Sequence, residues 1–126
     1  MHLVPALDLL GEPARRRILE LLAGGEKTSG ALSSVVQREF GITQPAVSLH
    51  LRVLRDGGLV TVRPEGARRV YAVNPAQLHE MDLWLDGFRH FWTPYLDRLE
   101  LDLKARRRGR ALGASRKRQS NQRRSR

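Results

Sequence analysis

Residues 43–60 read TQPAVSLHLRVLRDGGLV, and their reading decides the fold. Val47, Leu51 and Leu54 recur at spacings of four and three, which marks the buried face of a helix. Thr43 suits the N-cap, because its hydroxyl can accept from an orphan N–H. Pro45 suits the first turn, where its missing N–H costs nothing. Asp56-Gly57-Gly58 ends the helix. Yet Gln44, Pro45 and Ser48 crowd the first turn, and Leu49 points away from the apolar stripe. A helix start left uncovered and rich in hydrogen-bonding groups is suited to a partner outside the core.

The flanking sequence supplies a scaffold. Upstream, the pattern predicts a helix over 29–40 with Leu32, Val35, Val36 and Phe40 inward, ended by Gly41. Before it come a helix over 12–23, carried by Ile18, Leu19, Leu21 and Leu22, and a brief extended piece at Lys27 and Thr28. Leu3, Leu7 and Leu10 suggest a short first helix. Downstream, LVTVR (59–63) and RRVYAV (68–73) read as a hairpin closed by PEGA. A long helical region follows Asn74-Pro75. There Leu78, Met81, Leu85, Phe88, Trp92, Tyr95 and Leu99 keep a three-four repeat, and Thr93-Pro94 is expected to kink or restart the helix. From Ala105 the stripe is lost, and residues 106–126 are expected to be disordered.

Two helices joined by a tight turn and followed by a hairpin make a winged helix-turn-helix. The expected fold class is mainly α with a small β-hairpin wing, and dimeric. An α-helix fits the major groove of B-DNA with its N-terminal residues at the base edges. At about 100° per residue, Pro45, Leu49 and Arg52 lie opposite Val47, with Ser48 alongside. Gln44 carries an amide able to read adenine, Ser48 can bond a base or phosphate, and Leu49 offers apolar contact, for instance to a thymine methyl. Arg68 and Arg69 are neighbours in a strand, so they point to opposite faces and only one addresses DNA well. Plainer readings stand beside these. Thr43 and Gln44 also serve as capping residues, His50 flanks the core as a packed histidine, and Arg15-Arg16-Arg17 reads as a solvated helix face.

The sequence resembles the ArsR family of bacterial winged-helix repressors from about Leu3 to Leu103. LLGEPARRRILELLAGGEKT is similar to the helix that leads into the family's motif, and GITQPAVSLHLRVLRDGGLVTVRPEGARRVYAVN to its recognition helix and wing. The resemblance implies a repressor that occludes a promoter on double-stranded DNA. It implies that Gln44, Ser48 and His50 fall at DNA-contacting positions and Arg68 and Arg69 at the wing (63–69). Position 49 usually holds a polar or basic contact residue, so Leu49 departs from the pattern. WLDGFRHFWTPYLDRLELDL (84–103) resembles a metal-independent branch of small autoregulating repressors.

One metal site of the family needs a Cys pair on the third helix; Ser33 and Ser34 lie there, and the chain has no cysteine. Another uses four ligands on the last long helix, where this chain has Gln77, His79, His90 and Thr93. Two histidines make a poor zinc site against the usual four ligands. No metal and no cofactor are expected. The apolar stripe is expected to pair with its symmetry mate through Leu3, Leu7, Leu78, Met81, Leu85, Phe88, Trp92 and Tyr95. Such a homodimer would set two recognition helices about 34 Å apart on an imperfect palindrome. The competing reading of Trp84, Phe88, Phe91 and Trp92 is a pocket for an unknown small-molecule effector.

Charge divides the chain. Of a net +10 over 126 residues, the segment from Lys104 to Arg126 carries +11 with no acid, and residues 79–103 carry −4. The expected organisation is a DNA-binding and dimerisation domain over 1–103 and a basic tail over 104–126. Eleven cations raise non-specific DNA affinity by counterion release but carry no sequence information; the plainer reading is an inert solubilising extension. A whole-protein alternative is an architectural DNA binder driven by this tail. MHLVPALDLLGE is a poor signal peptide, no apolar run approaches a membrane span, and the absence of cysteine fits a reducing compartment. A cytoplasmic, nucleoid-associated location and no membrane partner are expected. No nucleophile–base pair or Gly-rich phosphate loop is present, so no enzymatic activity is expected.

Overall fold

The computed structural model describes residues 5–124, with side chains over 6–113. Its elements are α1 (Pro5–Leu9), α2 (Pro13–Ala23), β1 (Lys27–Thr28), α3 (Ser29–Phe40), α4 (Gln44–Asp56), β2 (Val60–Glu65), β3 (Arg68–Val73), α5 (Pro75–Asp86) and α6 (Arg89–Arg124). The chain separates into two compact units, residues 1–85 and 86–126. The expected boundary at 103/104, between the DNA-binding and dimerisation domain and the basic tail, falls inside the second unit. Leu3 lies outside the described residues.

Local chemistry sets the bounds of the central helices. The Thr28 and Thr43 hydroxyls cap α3 and α4 by accepting from Ala31 N (3.2 Å) and Ala46 N (3.4 Å). Gly41 ends α3 in the left-handed region (φ 63°), donating to Gln37 O at 2.9 Å, a conformation that costs other residues more than glycine. Ile18 of α2, Leu32 and Val36 of α3, Val47 and Leu54 of α4, and Leu59 are fully buried and form one core.

The sheet has the order β1-β3-β2 with both pairings antiparallel. Thr28 opposes Val70 and Val60 opposes Val73. The hairpin is longer than the sequence suggests. PEGA is not all turn: Pro64 and Glu65 remain in β2, opposite Arg69 and Arg68, and Gly66 (φ 62°) with Ala67 makes the reversal. Proline is tolerated because β2 is an edge strand. At the base of the hairpin, Asn74 donates through Nδ2 to Gly58 O (2.7 Å) and accepts through Oδ1 from Ala76 N (3.2 Å). One side chain thus joins the end of α4, the wing and the start of α5.

Arg15, Arg16 and Arg17 are not a merely solvated face. Arg15 Nε and Arg16 Nη1 donate to Leu9 O and Leu10 O, each at 2.6 Å, and so satisfy carbonyls at the end of α1. Arg17 forms a two-pronged bond to Glu39 of α3 at 2.8 and 3.0 Å. Phe40, expected inward, is 38% exposed at the last residue of α3. Met81 is buried in the core of the chain's own first unit, so it leaves the set expected to meet a partner copy. Leu7 is half-buried against the same core.

In the second unit, α6 runs through Pro94 without a break; the long helix is interrupted earlier, between Asp86 and Arg89. Gly87 and Phe88 form the turn there, and glycine costs a helix about 1 kcal/mol relative to alanine. Helix continues to Arg124, where disorder was expected from residue 106. Losing an apolar stripe removes a packing face but not helix propensity, and Arg, Lys, Ala, Leu and Gln are all good helix formers.

The Arg17–Glu39 bond makes the α2–α3 contact sensitive to acid. The Arg17 hydrogen bond holds the Glu39 carboxyl below its ordinary value, and Glu39 in turn raises Arg17. A carboxyl lowered in the folded state stabilises above its unfolded pKa, and that contribution is lost as pH falls through the folded value. Glu39→Gln is therefore expected to lower the urea midpoint at neutral pH. The gap from the parent protein should close as pH drops below the carboxylate range, about pH 4.

Candidate nucleic-acid interface

The face of α4 opposite Val47, Leu51 and Leu54 is open. Gln44, Pro45, Ser48, Leu49 and Arg52 are all exposed, and Leu49 at 56% is the most exposed large apolar residue among the described residues of the first unit. Thr43 is exposed as well, with its hydroxyl engaged as the cap. No acidic side chain occurs in α4 before Asp56. The positive end of the helix dipole therefore has no competing carboxylate in its first three turns.

Beside this face lies a cleft of about 260 Å³ lined by Ser29, Ser48, Leu51, Arg52, Arg55, Arg69 and Tyr71. It brings α4, the first residue of α3 and strand β3 together. It also separates the two adjacent wing arginines: Arg69 lines the cleft, while Arg68 sits at the strand end opposite Glu65. Arg55, Ser29 and Tyr71 were not singled out from the sequence. Arg55 was legible, because it follows Arg52 by three and so shares its face. Ser29 and Tyr71 reach the cleft only through the β1–β3 pairing, which sequence spacing does not show.

A second, wider recess of about 730 Å³ lies between α3 and the start of α4, lined by Gly30, Ser33, Ser34, Gln37, Arg38, Gly41, Ile42 and Gln44. It sets Gln44 beside Arg38 and Ser34. Ser33 is buried, and its hydroxyl accepts from Gln37 Nε2 at 2.7 Å.

His50 departs from the exposed set. It is half-buried and faces α2, with Nδ1 3.5 Å from Arg15 Nη1. Lying about 60° from Val47 around the helix, it falls on the flank of the core, as its plainer reading has it. Its structural surroundings are α2 and the end of α1, since the same Arg15 holds Leu9 O.

The wing is fixed electrostatically at its base. Arg63 donates to Glu26 (2.6 Å) and to Glu65 (2.7 Å), and those acids, Glu26 first, raise its pKa above the ordinary value. Arg63 is thus neutralised within the chain. Among the described residues Arg52, Arg68 and Arg69 form no ion pair, so they remain available to an external anion.

The residues expected at a subunit interface divide between the two units. On α5, Leu78 (42%) and Leu85 (45%) are exposed. In the second unit Phe88 and Tyr95 are exposed, Trp92 is half-buried, and the His90 ring lies on Phe91 at 4.1 Å. No helix among the described residues is long and apolar enough to cross a membrane.

Residues 10–63 match a family model described as a helix-turn-helix domain. The chain is 41% identical over 88 residues to a helix-turn-helix-type transcriptional regulator of Mycobacterium tuberculosis, covering 70% of this chain and 76% of the relative. It is 35% identical over 80 residues to an arsenical resistance operon repressor of Staphylococcus xylosus, covering 64% of this chain and 73% of the relative. It is also similar to the solution structure of a homodimeric winged helix-turn-helix DNA-binding domain from Mycobacterium bovis, a possible ArsR-family regulator. That likeness has a TM-score of 0.52 and 27% identity, and it covers 70% of this chain and 80% of the other.

The Glu26–Arg63–Glu65 bridge has a measurable consequence. Arg63→Gln is expected to speed amide hydrogen exchange over residues 61–70 while leaving the α2 and α4 amides unchanged. Equal acceleration throughout the first unit would show that Arg63 supports the whole core instead of the wing.

Proposed function

The chain belongs to the ArsR family of winged helix-turn-helix transcriptional repressors, and on that premise we propose that it works as a homodimer reading an imperfectly palindromic operator. The observation that carries the reading is the uncovered face of α4, flanked by a cleft holding three arginines. Gln44 and Ser48 supply hydrogen bonds to base edges, and Leu49 an apolar contact such as a thymine methyl accepts. Arg52, Arg55 and Arg69 take backbone phosphates, which fix register without reading sequence. His50, half-buried and 3.5 Å from Arg15, braces α4 against α2. Operator binding would occlude a promoter, and the protein would be found with the nucleoid.

Self-association follows from exposed apolar surface. Leu78, Leu83 and Leu85 on α5, and Phe91, Tyr95 and Leu96 on α6, are each 42–70% exposed. Burying a side chain of this size is worth about 1.5–3 kcal/mol, so a second copy has much to gain by covering them. The homodimeric relative supports the same assembly.

Two outcomes test the proposal. After selection of bound fragments from a random duplex pool, Gln44→Ala and Ser48→Ala should each lose about 1–3 kcal/mol of discrimination at particular base pairs. An equal loss on every sequence would count against base reading. Separately, the pair Leu85→Glu and Tyr95→Glu should sediment as monomer and lose tight binding to the selected site; an intact dimer would refute the interface.

A further inference from the structure

The segment of α6 from Lys104 onward lies beyond the helix-turn-helix match, which ends at residue 63. We infer that it is a second nucleic-acid-binding element, which follows the sugar–phosphate backbone of duplex DNA without reading bases.

Three observations point there. First, the charge changes abruptly along one continuous helix. The last ion pair among the described residues is Lys104 Nζ to Glu100 Oε1 at 3.3 Å. Beyond Glu100 and Asp102 there is no further acid, and ten Lys/Arg occur between Lys104 and Arg124. Arg106, Arg107, Arg108 and Arg110 are exposed and have no ion-pair partner among the described residues. On a helix, Lys104 with Arg108, and Arg106 with Arg110, stand four apart, so like charges face each other and disfavour the helix until an external polyanion neutralises them.

Second, the charge density fits. Residues 104–124 span about 31 Å at the α-helical rise. Ten cations over that length give about one per 3 Å of helix axis, against one phosphate per 3.4 Å of a DNA strand; turning by about 100° per residue, Arg106, Arg107 and Arg110 address the strand together while Arg108 faces away.

Third, the competing surfaces lack what they need. Membrane binding by a helix requires an apolar face, and Leu112 is the only large apolar residue from 104 to 124. Single-stranded nucleic acid is held largely by aromatic stacking, and this stretch contains no aromatic residue.

Full-length protein and a variant carrying Arg106→Gln, Arg107→Gln, Arg108→Gln and Arg110→Gln are compared on a random-sequence DNA duplex over a range of salt. Each phosphate contact removed lowers the slope of log K against log salt by about 0.9. Three of the four arginines share a face, so the variant should show a slope shallower by about two to three. The matching four-lysine variant should restore it, and far-ultraviolet circular dichroism should report the helix retained in both. An unchanged slope, or the same loss in the lysine variant, would overturn the inference. So would a loss confined to single-stranded RNA or to phosphatidylserine vesicles. Repeating the comparison with Gln44→Ala and Ser48→Ala present separates the two readings: the slope difference should persist there even if α4 reads no base.

Discussion

Burial of Val47, Leu51 and Leu54 orients α4, and the outward character of the protein follows from that constraint. Those three side chains meet Ile18, Leu32, Val36 and Leu59 in a core with almost no exposed surface. Rotating α4 to hide Leu49 would drive Val47 into water. The opposite stripe is therefore held outward by the core, and the capping of α4 by Thr43 leaves the neighbouring positions free for other contacts. A packed interior and a polar, cleft-lined exterior are two sides of one helix.

The arginines divide by task in the same way. Arg15 and Arg16 close the α1 carbonyls, Arg17 ties α2 to α3, and Arg63 anchors the wing. Each of these is engaged within the fold. Arg52 and Arg69 line a cleft and face outward, joined there by Arg55, whose contact with Asp56 is a long 3.5 Å. Net charge alone does not distinguish these groups; partners do.

The central part of this architecture was legible in the amino-acid sequence because its signals are local. Threonine caps, glycine stops and the spacing of apolar residues place α3 and α4 to the residue. What escaped was set by tertiary contact or by competing propensities. Met81 carries the same apolar signal whether it faces its own core or another copy. Arg69 and Arg68 have identical chemistry, and only the strand register tells them apart. Pro64 and Gly66 both look like turn residues, yet only Gly66 occupies a positive φ. The interruption was assigned to Pro94 but lies at Gly87 and Phe88. The basic segment lost its apolar period but kept residues that favour a helix. Of the site residues, the α4 face was readable from angle alone, whereas the cleft needed the sheet.

The edge position of β2 has one more consequence. An exposed edge strand offers unpaired backbone groups to any other extended chain, which is a route to sheet-to-sheet aggregation. Here the outer strand carries Arg63, Pro64 and Glu65 in succession. Proline has no amide hydrogen to donate, and stacking a copy there would strip water from the charged side chains on either side of it. The hairpin can thus be long and solvent-washed without offering an open backbone edge to another extended chain.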